Sequence, residues 1–206
     1  SGDLTELNLN EPTPAAGEES KTTSVESKPA EAKQAVPAQD LHVVVEGGDP
    51  KTPRTLGAAT APVTIIDYSS LTCPHCADAH ANVLPQLIKD YVQTSKVRII
   101  FNDFPLKSQA KDASKVARCV SNEQYYNFES QLFATIEHWA YSGRHPDALI
   151  QNAVLSGLSD EKAKSCLADK GVEQAIIEGV QQGIGKYGIN ATPTFIFNDG
   201  AKVLQG

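Results

Sequence analysis

From residue 41 onward the hydrophobic positions follow two different periods. The stretch "LHVVVEGGDP" opens the ordered region, and within "LGAATAPVTIIDYSS" the run Val63 to Tyr68 is apolar or β-branched apart from Asp67. A short continuous run of that kind suits a strand buried on both faces, and so a central strand. The period then lengthens: Cys76, His80, Val83, Leu84, Leu87 and Tyr91 recur at three or four residues, and Pro74 suits the first helical position. This predicts a helix that begins at "CPHC" and is kinked by Pro85. "KVRIIFNDFPL" reads as a second strand, and the intervening helix makes the pair a parallel β-α-β unit. From 108 to 188 the spacing is helical, with Ala113, Val116, Ala117 and Val120 followed by Phe128, Leu132, Ile136 and Trp139. "TPTFIFNDGAKVLQ" returns to two short strands, with Asp199-Gly200 suited to a tight hairpin turn. The pattern predicts an α/β domain in two parts, 41–107 and 189–206, separated by an inserted helical domain at 108–188.

Residues 1–40 break from this pattern. They are built from Glu, Ser, Thr, Pro, Ala and Lys with few large apolar residues, so they cannot offset the entropy of ordering and are expected to be disordered. Eight acids and three lysines give this segment a charge of −5, against a formal net charge of −7 for all 206 residues. The segment reads as a spacer or as a leader that serves solubility alone, and its four prolines and lack of heptads argue against a helical stalk. With no basic stripe, the chain is a poor fit to a binder that tracks nucleic-acid phosphates. No apolar run approaches the roughly 18 residues that cross a bilayer. The first residue is Ser1 and the sequence holds no Met, which agrees with an N-terminus made by processing and permits a removed secretory signal.

The chemistry concentrates at "LTCPHCADAH", where two of only four cysteines stand three residues apart. A cysteine at a helix N-terminus meets unpaired N–H groups and the positive end of the helix dipole, which favour its thiolate. Cys73 has that position. His75, in the first turn, is placed to add hydrogen bonding or positive charge, and Cys76, one turn in, is placed to resolve a mixed disulfide. The spacing permits both a closed disulfide and a dithiol, so the pair can carry two electrons without another cofactor. Zinc is the rival reading, with Cys73, Cys76, His80 and His75 as ligand types, but no second Cys-x-x-Cys or His pair completes a closed shell. His80 lies on the same helix face as Cys76 and suits packing as well as chemistry. Asp67, six residues before Cys73, could move protons to and from Cys76 or sit as an inert strand-end acid. Cys119 and Cys166, 47 residues apart, fit either a second bridge or two buried thiols.

The order strand, "CPHC", helix, strand, helical insertion, "ATPTFIFNDG" resembles the DsbA-type thiol-disulfide oxidoreductases of the thioredoxin superfamily over residues 55–206. The resemblance implies a thioredoxin-like fold with an inserted helical domain. It makes Cys73 the nucleophile and Cys76 the resolving thiol, and Thr192-Pro193 a cis-proline loop that lies against the active pair and contacts substrate together with Pro74. It places Asp67 as a buried acid beneath the disulfide and favours a bridge between Cys119 and Cys166. Two features depart from the family pattern: Ala191 stands where longer relatives often carry Gly, and relatives usually continue past the last strand into a covering helix.

On this footing the expected activity is oxidation of cysteine-containing substrate proteins in the periplasm or another extracytoplasmic space. The expected enzyme is a monomer with no metal and no cofactor beyond its redox-active disulfide, reoxidised by a DsbB-type membrane partner. The alternatives are an oligomeric isomerase or reductase on the same fold, and a tethered surface binding protein anchored upstream of residue 1.

Overall fold

The computed structural model describes residues 45–206; the expected disordered segment 1–40 lies outside the described residues. Among the described residues six strands form one mixed sheet in the order β1-β2-β4-β3-β5-β6. They are β1 (Val45–Glu46), β2 (Arg54–Leu56), β3 (Val63–Ser69), β4 (Val97–Asp103), β5 (Thr194–Phe197) and β6 (Lys202–Gln205). β3 lies inside the sheet, parallel to β4 from Val63↔Val97 to Ser69↔Asp103 and antiparallel to β5 from Ile65↔Phe197 to Tyr68↔Thr194. Alternation along β3 sends Ile65 into the larger core with Leu56, Ile99 and Phe101, and Tyr68 into a second core with Phe104, Ile189 and Ile196. Both faces are covered, as the mainly apolar and β-branched run leads one to expect.

Helix α1 (Pro74–Asn82) starts directly after the loop that leaves β3. Pro85 has no N–H to return to the preceding turn, and the helix breaks at Val83, resumes as α2 (Leu84–Leu87) and widens into a π-helical turn at Ile88–Val92. Between β4 and β5 come α3 (Ser108–Ala117), α4 (Asn122–Ala134), α5 (Ile136–Trp139), α6 (Asp147–Leu155), α7 (Asp160–Ala168) and α8 (Lys170–Tyr187). Trp139 is fully buried among them and donates its indole N–H to the Leu132 carbonyl at 2.8 Å. Helix α8 adds Val180 and Tyr187 to the Tyr68 core, and a Cβ on Gly183 would stand 3.0 Å from the Tyr68 ring. Glycine therefore lets this helix approach the sheet closely.

Two local features differ from the sequence reading. β2, three residues long and flanked by loops, carries too few positions to show a period. The β5–β6 connection is a four-residue loop, Asn198–Ala201, with positive φ at Asn198, Asp199 and Gly200, in place of a tight Asp-Gly turn. Side chains hold it open: Asn198 Oδ1 accepts from Thr64 N at 2.9 Å, and Asp199 Oδ1 accepts from Lys186 Nζ and the Tyr187 hydroxyl at 2.6 and 2.7 Å.

Cys119, in the turn after α3, and Cys166, in α7, are joined in a disulfide with Cα atoms 6.4 Å apart. A bridge that closes a loop of 47 residues removes about 4 kcal/mol of unfolded-state chain entropy. The double variant Cys119→Ala, Cys166→Ala should lose roughly that much stability in urea unfolding at neutral pH. An unfolding midpoint equal to that of the parent would show that the bridge constrains nothing the helices do not already hold.

Candidate active site

The site grows from the place where β3 ends and α1 begins. The loop at Ser70 to Thr72 is buried, and Ser70 O accepts from Cys73 N at 3.0 Å. Cys73 is the N-cap of α1, and its sulfur accepts from Cys76 N at 3.2 Å. Sulfur thus takes the role an Asp or Ser oxygen plays at other helix starts. On its other side the Cys73 thiol donates to the Thr192 carbonyl at 3.5 Å, and the Thr192-Pro193 bond is cis. Both cysteines are thiols, Cys73 buried and Cys76 only 1% exposed. Burial first, then the hydrogen bond with Cys73, push the Cys76 thiol up to about 12. Thr192 is buried and its Oγ1 has no protein partner among the described residues. Pro74 and His75 are exposed on the first turn, and His75 makes no side-chain hydrogen bond among the described residues.

Asp67 lies within β3 and is 4% exposed. It shares its face with Ile65, the face of the larger core that also holds Cys76. Burial raises its carboxyl to about 7; the Ser69 hydroxyl, 2.5 Å away, opposes the rise, and the Asp103 carboxylate adds to it. Around it stands a polar cluster that no sequence reading had singled out. Asp103, at the end of β4, pairs with Arg118 Nε at 2.7 Å. Arg54 donates to the Arg118 and Val120 carbonyls and to Asn122 Oδ1, and lies 5.2 Å from the centre of the Tyr125 ring. The Tyr125 hydroxyl donates to Glu129 Oε1 at 2.9 Å. Burial, then Asp103, raise Glu129 to about 8, and Asp67 pushes in the same direction.

His80 occupies α1 one turn past Cys76. Its ring stacks on Tyr126 at 5.0 Å and meets Phe133 at 4.9 Å, beside a cavity of about 340 Å³ between α1 and α4. Ser130 Oγ donates to the Tyr126 carbonyl, so His80 Nε2, 2.8 Å from the same oxygen, is the donor to it. Burial holds the imidazole down to about 4, and His80 is therefore a neutral packing residue at physiological pH. Among the described residues no cluster of three or more His, Cys, Asp or Glu gathers at metal-binding geometry.

A thioredoxin family model matches residues 49–203, which include the whole of this site. The chain belongs to the thioredoxin family. Within that family the solved structure of Wolbachia pipientis alpha-DsbA1 is 33% identical, covers 75% of this chain and 83% of its own, and superposes with a TM-score of 0.68. Oxidised BdbD from Bacillus subtilis, at 22% identity and a TM-score of 0.67 over 80% of this chain and 90% of its own, shares the fold. The thioredoxin-like fold with a helical insertion is thus the DsbA arrangement. A Rickettsia felis protein provisionally named a protein-disulfide oxidoreductase is 26% identical over 89% of this chain and 66% of its own length. A Rickettsia typhi protein of the same name is 30% identical over 69% and 53%. The chain therefore spans between half and two thirds of these relatives.

In this thioredoxin-family site the residues that escaped notice left a faint signal. Glu129 sits in the apolar stripe of α4 beside Tyr125, Phe128 and Leu132, and Asp103 continues the inward alternation Val97, Ile99, Phe101 of β4. A charge in the phase of a core stripe marks a buried group, but its partners come from elements distant in sequence. The burial of Asp67 sets a direction for stability. Its folded pKa lies above the unfolded value near 3.9, so its contribution is present at low pH and lost as pH rises from about 4 to 7. Asp67→Asn should be indistinguishable from the parent near pH 4 and more stable by about 3 to 4 kcal/mol at pH 8 in chemical unfolding. In the reduced protein Cys76 should resist alkylation at pH 7 to 8 while it remains folded, read by mass spectrometry; rapid labelling of Cys76 would contradict its burial.

Proposed function

We propose that this chain is a thiol-disulfide oxidoreductase that oxidises cysteine-containing substrate proteins outside the cytoplasm. The observation that carries the proposal is the N-cap sulfur of Cys73, held between the Cys76 N–H and the Thr192 carbonyl. In the oxidised form a substrate thiolate attacks Cys73 Sγ, the bond between Cys73 and Cys76 breaks, and Cys76 leaves as a thiolate that must gain a proton. A second substrate thiolate then attacks the substrate sulfur of the mixed disulfide, and Cys73 leaves. The substrate gains a disulfide and gives up two electrons and two protons, and the chain ends as the dithiol. Asp67, half-ionised near neutral pH and buried on the Cys76 side of the sheet, is assigned the proton transfer to and from Cys76. The exposed Pro74 and His75 form the docking surface beside the buried Thr192-Pro193 loop. His75 acts there through contact or long-range charge.

The Cys119–Cys166 bridge supports an oxidising compartment such as the periplasm. Among the described residues no helix is long and apolar enough to cross a membrane. The dithiol form needs an electron acceptor, and a membrane-bound DsbB-type protein fits that chemistry, with this chain as a monomer.

Equilibration of the Cys73–Cys76 pair with a glutathione series tests the direction. A potential near about −120 mV supports oxidation, and one near about −270 mV indicates a thioredoxin-like reductant. Cys73→Ser should abolish oxidation of a dithiol peptide with no change in helix content; retained turnover would overturn the mechanism. Asp67→Asn should slow the step in which Cys76 changes protonation and remove the rate inflection near pH 7.

A further inference from the structure

We propose that Glu129, contributed by the helical insertion, is a second proton-handling group that acts through Asp67 to set when Cys76 gains and loses its proton. The inference rests on the oxidoreductase reading above and extends it to a residue outside the sheet and the active-site helix. Glu129 is buried in α4, which packs across α1 through the contact of Tyr126 with His80. The ring of Phe101, whose β4 position pairs with Asp67 of β3, lies 6.0 Å from the ring of Tyr125, the hydroxyl donor to Glu129. Glu129 lies near enough to Asp67 and Asp103 to feel both charges.

The charged and titratable groups facing Glu129 come from each neighbouring element: Asp67 from β3, Asp103 from β4, Arg54 from β2, Arg118 from the end of α3, Tyr125 from α4 and neutral His80 from α1. Arg118 is committed to Asp103 through a 2.7 Å ion pair, and Arg54 is committed to carbonyls and Asn122. Among the described residues neither arginine forms an ion pair with Asp67 or Glu129, although both lie near enough to Glu129 to act on its charge. Three buried carboxyls, Asp67, Asp103 and Glu129, face two guanidinium groups, Arg54 and Arg118, so not all three ionise at neutral pH without cost, and the Asp67–Glu129 pair retains a proton. Glu129 and Asp67 are buried to nearly the same degree, 6% and 4% exposed, but Glu129 belongs to α4, whose opposite face at Asn127 and Gln131 is exposed.

In the reaction, Cys76 leaves as a thiolate and takes the Asp67 proton; Asp67 takes the Glu129 proton; Glu129 is recharged from solvent. Reoxidation runs the transfers in reverse. No bond other than O–H and S–H changes in the relay, and each group ends with its starting proton count after a full cycle. Glu129 is a positioning residue: it never touches sulfur and decides where the proton waits.

Glu129→Gln tests this, because Gln keeps the volume and the acceptor for Tyr125. Two readouts are compared in the full chain. The first is the infrared carboxyl difference spectrum between disulfide and dithiol forms, which needs no turnover; the second is the pH dependence of dithiol-peptide oxidation. The parent should show a protonated-carboxyl band that responds to disulfide reduction and is lost in Glu129→Gln. Its pH–rate profile should carry two ionisations, where Glu129→Gln carries one. Tyr125→Phe removes the donor that favours the ionised form and should move the Glu129 step to higher pH. A folded Glu129→Gln with the parent's band and profile overturns the relay. A parent that responds in the infrared but oxidises no peptide leaves the relay in place and overturns the oxidase reading.

Discussion

The parallel pairing of β3 with β4 is the constraint on which the site depends. Parallel neighbours cannot be joined by a tight turn, so the chain leaving β3 must cross a full face of the sheet before it enters β4. The crossover is α1, α2 and the π-helical turn, and its first residue past the loop is the one whose sulfur caps the helix. The N-terminus of α1 is therefore pinned at the carboxyl end of the central strand. β5 pairs with the other side of the same strand, and the Thr192 carbonyl preceding it meets the Cys73 sulfur. The two cysteines, the proline loop and Asp67 come together because each adjoins or lies on β3 or its immediate partner.

That arrangement places chemistry inside a core, and the core must then satisfy polar groups that a simple α/β layer would exclude. Arg54, Asp103, Arg118, Tyr125 and Glu129 satisfy most of them among themselves, using backbone carbonyls at the end of α3. Such a network is expensive to bury unless its members are paired. Asp103 and Arg118 form an ion pair; among the described residues Asp67 and Glu129 have none and shift upward instead. In the proposed relay, the same imbalance that costs stability near neutral pH would keep a proton in reach of the cysteine pair.

Legibility in the sequence followed the range of the interaction. The strand Val63 to Tyr68, the helix opened by Pro74 and the break at Pro85 rest on periodicity and on proline's missing donor, which are local. The N-cap position of Cys73 was legible for the same reason. β2 was not, because three residues carry no period, and the loop at Asn198 was misjudged because Thr64, Lys186 and Tyr187, distant in sequence, decide its width. Resemblance, and not spacing, pointed to Pro193 and to a bridge between Cys119 and Cys166. Glu129 was hidden in plain view: a single acid in an apolar stripe reads as an irregularity until β3 and β4 are laid beneath it.

The helical insertion therefore does more than cover one face of the sheet. It closes the larger core over α1 through Tyr126 and Phe133, and its disulfide ties the end of α3 to α7. The Cys119 turn that this bridge holds directly follows Arg118, the cation that neutralises Asp103. If that turn loosened, Asp103 would lose its partner, and its freed charge would push Asp67 and Glu129 further upward, since it already raises both.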